Sequence, residues 1–217
     1  MGNGCDELPP SDNEPRSMRD PDVRARRKAL LDQPHMRPLV RYVAKLRQRD
    51  NVEVPDFDPC DGGVNAQVLF LFEKPGPMTA QDGSGNRVGS GFISRNNDDP
   101  TAENTFNFMQ EAGIPRELTV TWNVIPWWND TTKYDRVELE EGLNCLKELI
   151  NDQIRKLQAA VLVGNSAKKA RPMLEERGLK IFESAHPSPQ VRYPNPELWN
   201  SIPVEWAKVK KFINIKK

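Results

Sequence analysis

One histidine in the second half of the chain lies in a setting that is suited to chemistry. His186 begins the sequence His-Pro-Ser-Pro and is one of only two histidines among 217 residues. Because proline fixes its own φ angle, a loop with this sequence is stiff before anything binds to it. Two interpretations stay open: a rigid turn without a chemical role, or an imidazole held still as a hydrogen-bond or proton donor.

Three other motifs place polar side chains directly after apolar stretches. They are Glu-Lys-Pro-Gly-Pro at 73–77, Trp-Asn-Val-Ile-Pro-Trp at 122–127 and Gly-Asn-Ser-Ala-Lys-Lys at 164–169. Asn123 carries a hydrogen-bond donor and an acceptor on one carboxamide. Glycine, proline and polar residues after an apolar run are typical of the turn that follows a buried strand.

The elements that must position these motifs alternate along the chain. Short apolar runs predict strands at 66–72, 159–164 and 179–185, and a strand with its exit at 118–128. The run at 66–72 is typical of a strand buried on both faces. Helical spacing predicts helices at 22–33, 38–49, 101–112, 136–157, 165–178 and 196–213. The alternation predicts an α/β fold: a three-layer α/β/α arrangement with a central four-stranded, mainly parallel sheet and an N-terminal helical extension. All four motifs then lie at the carboxyl edge of the sheet, where such folds bind ligands.

Composition divides the chain into three predicted parts. Residues 1–20 are rich in proline, glycine, asparagine and acids, which predicts a disordered tail. Residues 21–63 form a basic helical extension and linker, and residues 64–217 form the α/β domain. Residues 79–100 are a long polar loop, and loops of that length are usually functional or disordered.

Charge and cysteine content narrow the class of protein. Residues 16–49 contain eleven arginines and lysines against three acids, which suits either a polyanion-binding surface or a solvated helix face. The three cysteines are scattered, which favours a reducing compartment over a disulfide framework. No apolar run approaches the roughly 20 residues that span a bilayer. We therefore expect a cytoplasmic protein, or a nuclear one if the source is eukaryotic.

The order of the motifs resembles that of the uracil-DNA glycosylase superfamily. The Glu-Lys-Pro-Gly turn is similar to the Gly-Glu-Ala-Pro-Gly motif of the iron–sulfur branch, and His-Pro-Ser-Pro matches a motif of the best-known branch. The segment Gly-Phe-Ile-Ser at 91–94 and the motif at 122–127 stand between them, and the resemblance covers roughly residues 64–200. The cysteine ligands of the iron–sulfur branch are missing, so the resemblance implies a divergent branch with no cofactor and no metal.

The resemblance implies roles around a flipped base. It makes His186 the donor to the uracil O2, which develops charge as the glycosidic bond breaks. It makes Asn123 the residue that selects the edge of uracil over cytosine, although a turn-forming asparagine stays possible. Phe92 would stack on the base, with a loop anchor as the alternative. Pro75 and Gly76, in the turn after the first strand, would contact the substrate.

Glu73 and Lys74 form the least familiar part of the pattern. The best-known branch has aspartate at the position of Lys74, where it orients water, and a lysine there is cationic at neutral pH. Glu73 matches the glutamate of the iron–sulfur branch, so the resemblance makes it the candidate for positioning water. Lys74 has three open interpretations: a phosphate contact, a pair with Glu73, or a nucleophile that attacks C1′ to form a Schiff base.

DNA contacts are expected on both sides of the base. After His186 these are Ser188, Gln190, Val191 and Arg192, with Gln190 at the position where the best-known branch has an apolar wedge. At the third strand exit, Ser166 and Lys168 lie at a helix N-terminus that suits a phosphate. An ordinary capped helix with exposed lysines is the alternative.

The function that these features predict is that of a monofunctional glycosylase. Such an enzyme would flip uracil, or another deaminated base, out of DNA, hydrolyse its N-glycosidic bond and so initiate base excision repair. We expect it to act as a monomer on DNA and away from membranes. Two alternatives stay open: a module of the same fold that binds damaged bases without cutting, and an N-glycosidase that acts on nucleosides.

Overall fold

The computed structural model describes residues 5–81 and 83–214. Seven α-helices and six strands are found in these ranges. The helices are α1 Pro21–Ala29, α2 Arg37–Leu46, α3 Pro100–Glu111, α4 Arg136–Glu148, α5 Arg171–Glu176, α6 Pro189–Arg192 and α7 Pro196–Ala207. The strands are β1 Asp56–Phe57, β2 Val68–Phe72, β3 Phe92–Ile93, β4 Thr119–Asn123, β5 Ala159–Val163 and β6 Lys180–Ser184.

The central sheet has four parallel strands in the order β4-β2-β5-β6. Strands β2, β4 and β5 are buried along their whole length, because helices cover both faces of the sheet. Side chains alternate between the faces, so that Leu69 and Leu71 pack towards α2, α4 and α5. Val68 and Phe70 pack towards α3 and α7. The three-layer α/β/α architecture that the sequence predicts is therefore confirmed.

The predicted helices are present, but several are shorter than predicted. The stretch predicted as one helix at 136–157 is α4 followed by a π-helical turn at Leu149–Gln153. The helix predicted at 165–178 begins as a 3-10 turn at Ala167–Ala170 and continues as α5. Amphipathic α2 packs its apolar residues into the core of the sheet. None of the helices in the described residues is long and apolar enough to cross a membrane.

The N-terminal segment corrects two predictions. Residues 5–20 are ordered instead of disordered, since Asp12 and Met18 are each about 1% exposed. Asp12 accepts two hydrogen bonds from Arg26, at 2.7 and 2.9 Å. Cys5 forms a disulfide with Cys60, whereas the sequence spacing favoured unpaired cysteines. Residues 1–4 of the predicted tail lie outside the described part of the chain.

Three arginines of the predicted basic surface form ion pairs and hydrogen bonds within the protein. Arg27 is fully buried and pairs with Asp58 at 2.8 Å. Arg24 donates to the backbone oxygens of Met18 and Arg19. These three arginines therefore hold the N-terminal segment against the domain, and a polyanion-binding surface elsewhere on the basic segment stays a prediction.

Asp58 is the centre of a buried ion network beneath the segment at 94–97. It pairs with Arg116 at 2.5 Å as well as with Arg27, and it accepts from the Ser94 hydroxyl. Burial alone would raise the pKa of Asp58, but Arg116 and Arg27 hold that pKa well below its usual value. The carboxylate is therefore charged at neutral pH and ties the segment around Ser94 to the domain.

The long polar loop at 79–100 contains a strand that the sequence did not predict. Strand β3 pairs in parallel with β1, with Asp56 opposite Phe92 and Phe57 opposite Ile93. This short pairing decides which side chains of the Gly-Phe-Ile-Ser segment face the N-terminal segment and which face the sheet.

Candidate active site

A cavity of about 550 Å³ lies beyond the carboxyl ends of β2, β4 and β6. The sequence predicted a ligand site at this edge of the sheet. Nine of the predicted site residues line the cavity: Glu73, Lys74, Pro75, Gly76, Asn123, His186, Ser188, Gln190 and Val191. The fold therefore brings together residues that are up to 118 positions apart in the sequence, from 73 to 191.

Backbone hydrogen bonds hold the turn after β2 against the exit of β4. The amide of Val124 donates to the oxygen of Phe72 at 2.8 Å, and the amide of Ile125 donates to the oxygen of Glu73 at 3.0 Å. The strand pairing thus continues one step past Asn123. This continuation fixes Glu73 and Asn123 at adjacent positions on the cavity wall.

Asn123 is the last residue of β4 and is 4% exposed. Its Oδ1 has no hydrogen-bond partner among the described residues. Leaving a buried acceptor unpaired costs about 1–3 kcal/mol, so such a group calls for an explanation. A carboxamide that borders a cavity with its oxygen unpaired is suited to bind the polar edge of a ligand.

His186 lies on the opposite strand exit, after β6. Its ring packs edge-on against the Phe72 ring, with the ring centroids 5.6 Å apart. Gly164 lies next to His186 and has φ of +83°, a backbone conformation that favours glycine. Burial lowers the pKa of His186, and the nearby Glu73 opposes this only in part. The imidazole is therefore neutral at pH 7 and has one N–H to donate.

The ammonium group of Lys74 is bound by three groups of the protein. Nζ donates to Glu138 Oε1 and Asn129 Oδ1, each at 2.7 Å, and to the backbone oxygen of Lys133 at 3.2 Å. The side chain is 1% exposed. All three protons of the ammonium group are thus engaged, which contradicts both a pair with Glu73 and a free amine nucleophile. Lys74 anchors the turn after β2 to the start of α4.

Phe92 does not occupy the place that the resemblance gave it. Its ring is 3% exposed and packs against Met18 and Val23 of the N-terminal segment. The neighbouring Ile93, and not Phe92, is among the described residues that line the cavity. Successive residues of a strand face opposite sides, so the pairing of β3 with β1 turns Phe92 away. The alternative interpretation, a loop anchor, agrees with this position.

Three predicted DNA contacts lie outside the cavity lining that the described residues form. Ser166 exchanges a hydrogen bond with the Tyr134 hydroxyl at 2.9 Å. Lys168 pairs with Glu183 at 2.9 Å. Arg192 is exposed, and its guanidinium lies over the Trp199 ring at 5.8 Å. Lys168 and Arg192 are exposed at the surface, and their contact with DNA stays a prediction.

The sequence analysis missed several polar residues of the cavity. Asn97 is 2% exposed and Thr121 is 7% exposed, and Asn97 Oδ1 and Thr121 Oγ1 both have no hydrogen-bond partner in the described ranges. Arg95, from the same segment as Asn97, also lines the cavity. Burial lowers the pKa of Arg95 to about 10, so it stays cationic. The alternation of polar Thr119, Thr121 and Asn123 along β4 was the pattern that could have indicated a polar wall.

A parallel sheet with a cavity at its carboxyl edge is the arrangement in which α/β proteins typically bind their ligands. The family model of the uracil DNA glycosylase superfamily matches residues 59–205, and the chain belongs to this superfamily. Membership supports a DNA glycosylase-type function with DNA as the substrate. No curated protein matches the chain. The match begins at residue 59, and the domain boundary that we placed at residues 63–64 stays a prediction.

The described residues contain no cluster of three or more histidines, cysteines, aspartates or glutamates that could hold a metal ion. The side chains that line the cavity supply hydrogen-bond donors and acceptors, the imidazole of His186 and the carboxylate of Glu73. These groups suit the recognition of a polar heterocycle and the positioning of water next to it.

Proposed function

We propose that the protein is a monofunctional DNA glycosylase that hydrolyses the N-glycosidic bond of uracil in DNA, and so initiates base excision repair. The observation that carries this proposal is the buried carboxamide of Asn123, whose Oδ1 has no partner and which shares one cavity with His186. Family membership supports the reaction class.

Base recognition follows from the chemistry of the carboxamide. Asn123 Oδ1 accepts the ring N3–H of uracil while its Nδ2 donates to O4. Cytosine has an acceptor at N3 and a donor at position 4, so it would face like groups and be rejected. A base can reach this wall only after it leaves the stack and enters the cavity.

Bond cleavage follows from the donor at the other end of the cavity. As the bond between C1′ and N1 breaks, the electron pair moves into the ring and negative charge develops on O2. His186, neutral and packed against the Phe72 ring, donates its N–H to that oxygen. Preorganised donors of this kind typically contribute a factor of about 10²–10³ in rate. Water held by the Glu73 carboxylate then attacks C1′, and its proton passes to the carboxylate.

The test uses duplex oligonucleotides that carry uracil, hypoxanthine, xanthine or a T·G mismatch, followed by alkaline cleavage of abasic sites. We expect product from uracil DNA, and a loss of about a hundredfold or more in the His186→Ala and Asn123→Ala proteins. The matched control for Asn123 is Asn200→Ala, an exposed asparagine on α7, which should keep the wild-type rate.

Other results would redirect the proposal. Tight binding of uracil DNA without any product would support a module that captures bases without cutting them. Product from nucleosides alone would support a nucleoside N-glycosidase. Equal loss of activity in the Asn200 control would show that the assay reports stability and not the site.

A further inference from the structure

The loop that carries His186 has a hydrogen bond that the proposed reaction does not use. Asn104 of α3 donates from Nδ2 to the backbone oxygen of Pro187 at 3.0 Å, across 83 positions of the sequence. Pro187 directly follows His186. Asn104 is not among the described residues that line the cavity, so it can act on the base only through this loop. The inference drawn from this contact rests on the proposed function, because it takes His186 to be the donor to the base.

The sequence His-Pro-Ser-Pro restricts most of the backbone torsions of the loop. The rings of Pro187 and Pro189 fix the φ angles of these two residues. A residue that precedes a proline is restricted to extended conformations, which applies to His186 and Ser188. Ser188 accordingly has φ of −79° and ψ of 140°. Neither effect restricts ψ of Pro187, and rotation about this torsion turns the Pro187 carbonyl group.

Different parts of the fold hold the two sides of this free torsion. On one side, the amide of Gly164 donates to the backbone oxygen of Ser184 at 3.0 Å, which ties the end of β6 to the exit of β5. On the other side, the Ser188 hydroxyl accepts from the amide of Gln190 at 3.3 Å and caps α6. The torsion therefore links His186, which follows β6, to the predicted DNA contacts on α6.

Asn104 reaches the loop from a helix that is itself fixed. The carboxylate of Asp99 caps α3 by accepting from the amide of Ala102 at 2.9 Å. Further along the helix, the Phe108 ring packs edge-on against Trp199 of α7, with the ring centroids 4.9 Å apart. A donor on a helix that is held at both places sets the direction of the carbonyl group that accepts from it. The Asn104 hydrogen bond thus restricts the torsion that the prolines leave open.

We propose that Asn104 is a positioning residue for His186. Its hydrogen bond fixes ψ of Pro187, and so keeps the imidazole in a constant position relative to the DNA that α6 contacts. Without this bond, the loop turns about that torsion and the imidazole N–H loses its alignment with O2 of the base. A donor that must be ordered at the moment of reaction contributes less than a preorganised one. Asn104 touches neither the base nor the reacting atoms, and its effect on the reaction passes through His186.

The experiment compares Asn104→Ala and Asn104→Asp with the wild type on duplex DNA that carries uracil. Asn104→Asp keeps the shape of the side chain but replaces the donating amide by an acceptor. We expect kcat to fall by roughly tenfold in both variants, the effect of losing one hydrogen bond, while KM stays near the wild-type value. The matched controls are Asn107→Ala and Asn107→Asp, since Asn107 is exposed on the same helix and should keep the wild-type kcat. Thermal melting checks that each variant is folded.

A double-mutant cycle with His186→Ala distinguishes positioning from a general structural role. If Asn104 acts through the imidazole, Asn104→Ala should change the residual rate little once His186 is already replaced. A residue that only stabilises the fold would cause the same fold-loss in both backgrounds. The cycle therefore reads the coupling between the two side chains and not the stability of the loop.

A titration of His186 by NMR reports on the loop without any reaction. Burial lowers the pKa of this imidazole, and Glu73 acts in the opposite direction. A loop that turns more freely exposes the ring to water, so in Asn104→Ala the pKa of His186 should move up towards its ordinary value. The sequence has only one other histidine, His35, whose ring is bonded to the backbone oxygen of Pro59 at 2.9 Å. The ring signals of His35 show in the same spectra that the variant is folded.

The outcomes separate this inference from the proposed function. Release of uracil with an unchanged kcat in Asn104→Ala, or with equal losses in both backgrounds of the cycle, overturns the positioning role and leaves the proposed function standing. Equal losses in the Asn107 variants overturn it as well. If no base is released, the proposed function fails and the titration decides the positioning role by itself. A raised pKa of His186 in Asn104→Ala then supports it, and identical titration curves overturn it.

Discussion

Two buried polar regions lie next to each other in this protein, and they differ in whether their side-chain oxygens have partners. In the ion network around Asp58, carboxylates and arginines pair with one another at 2.5–3.4 Å. On the cavity wall, the side-chain oxygens of Asn97, Thr121 and Asn123 have no partner among the described residues. Arg95 belongs to both regions, since it pairs with Asp61 and also lines the cavity.

This difference distinguishes groups that stabilise the fold from groups that are available to bind a ligand. A buried charge with its partners in place fixes the segments that carry it, and removing one partner exposes the other to the full penalty of burial. An unpaired neutral oxygen stabilises nothing in the free protein, so natural proteins keep few of them. Substitutions should therefore damage stability in the network and damage function on the cavity wall.

The largest effect is expected in the network. Asp58→Ala leaves Arg27 and Arg116 without their shared carboxylate, and we expect it to lower the free energy of unfolding by about 3–5 kcal/mol. Urea denaturation measures this change. The control is Glu140→Ala, which removes an exposed i,i+4 pair with Arg136 and should change stability by less than about 0.5 kcal/mol. Similar losses in both variants would contradict the structural role of the network.

A smaller loss is expected at Lys74, which lines the cavity but is paired like a network residue. Lys74→Met removes the ion pair with Glu138 and should lower the free energy of unfolding by about 1–3 kcal/mol. Base release per folded molecule should remain, because the ammonium group is already engaged by Asn129, Lys133 and Glu138. Loss of base release in a variant that is still folded, or a borohydride-trapped adduct in the wild type, would restore the amine as a nucleophile.

On the cavity wall, a substitution is expected to raise the free energy of unfolding and not to lower it. Thr121→Val replaces an unpaired buried hydroxyl by a methyl group of similar size, and we expect the free energy of unfolding to rise by about 1 kcal/mol. A chemical denaturation series of this variant beside the wild type is the measurement. A loss of stability instead would mean that the hydroxyl has a partner that holds the fold.

The smallest expected effect is on the pH dependence of stability. Burial lowers the pKa of His186, so the unfolded chain, with a pKa near 6.5, binds this proton more readily than the folded one. Stability therefore rises with pH, is fully present above about 6.5 and is lost progressively as the pH falls below that value. We expect a shallower decline between pH 7 and pH 5 in His186→Gln, measured by urea denaturation at each pH. Identical slopes would mean that His186 does not titrate differently on folding.

Local sequence patterns were sufficient for the architecture. Apolar runs located all four strands of the central sheet to within a few residues, and Asn123 and His186 follow from their positions at strand exits. This succeeds because alternation and burial along a strand are set by neighbouring residues, and because parallel strands bring their carboxyl ends to one edge.

The residues whose contacts were predicted wrongly are those whose partners are distant in the sequence. Lys74 finds its partners 55 to 64 positions away, and Cys5 pairs with a cysteine 55 positions away. Phe92 faces the N-terminal segment because of the pairing between β1 and β3. Each of these strands has only two residues, which is too short to give a periodic pattern of apolar residues in the sequence. In each case the side chain itself gave no indication of which of several polar or apolar partners it would meet.

The sequence by itself determined the order of the four central strands and the edge of the sheet where the cavity lies, and it placed Asn123 and His186 at strand exits on that edge. Only the tertiary structure decided which side chains enter the cavity: Ile93 in place of Phe92, and Asn97 and Thr121 in addition. Periodicity is a property of neighbours along the chain, whereas a hydrogen-bond partner, or the lack of one, depends on groups that only folding brings within about 3 Å.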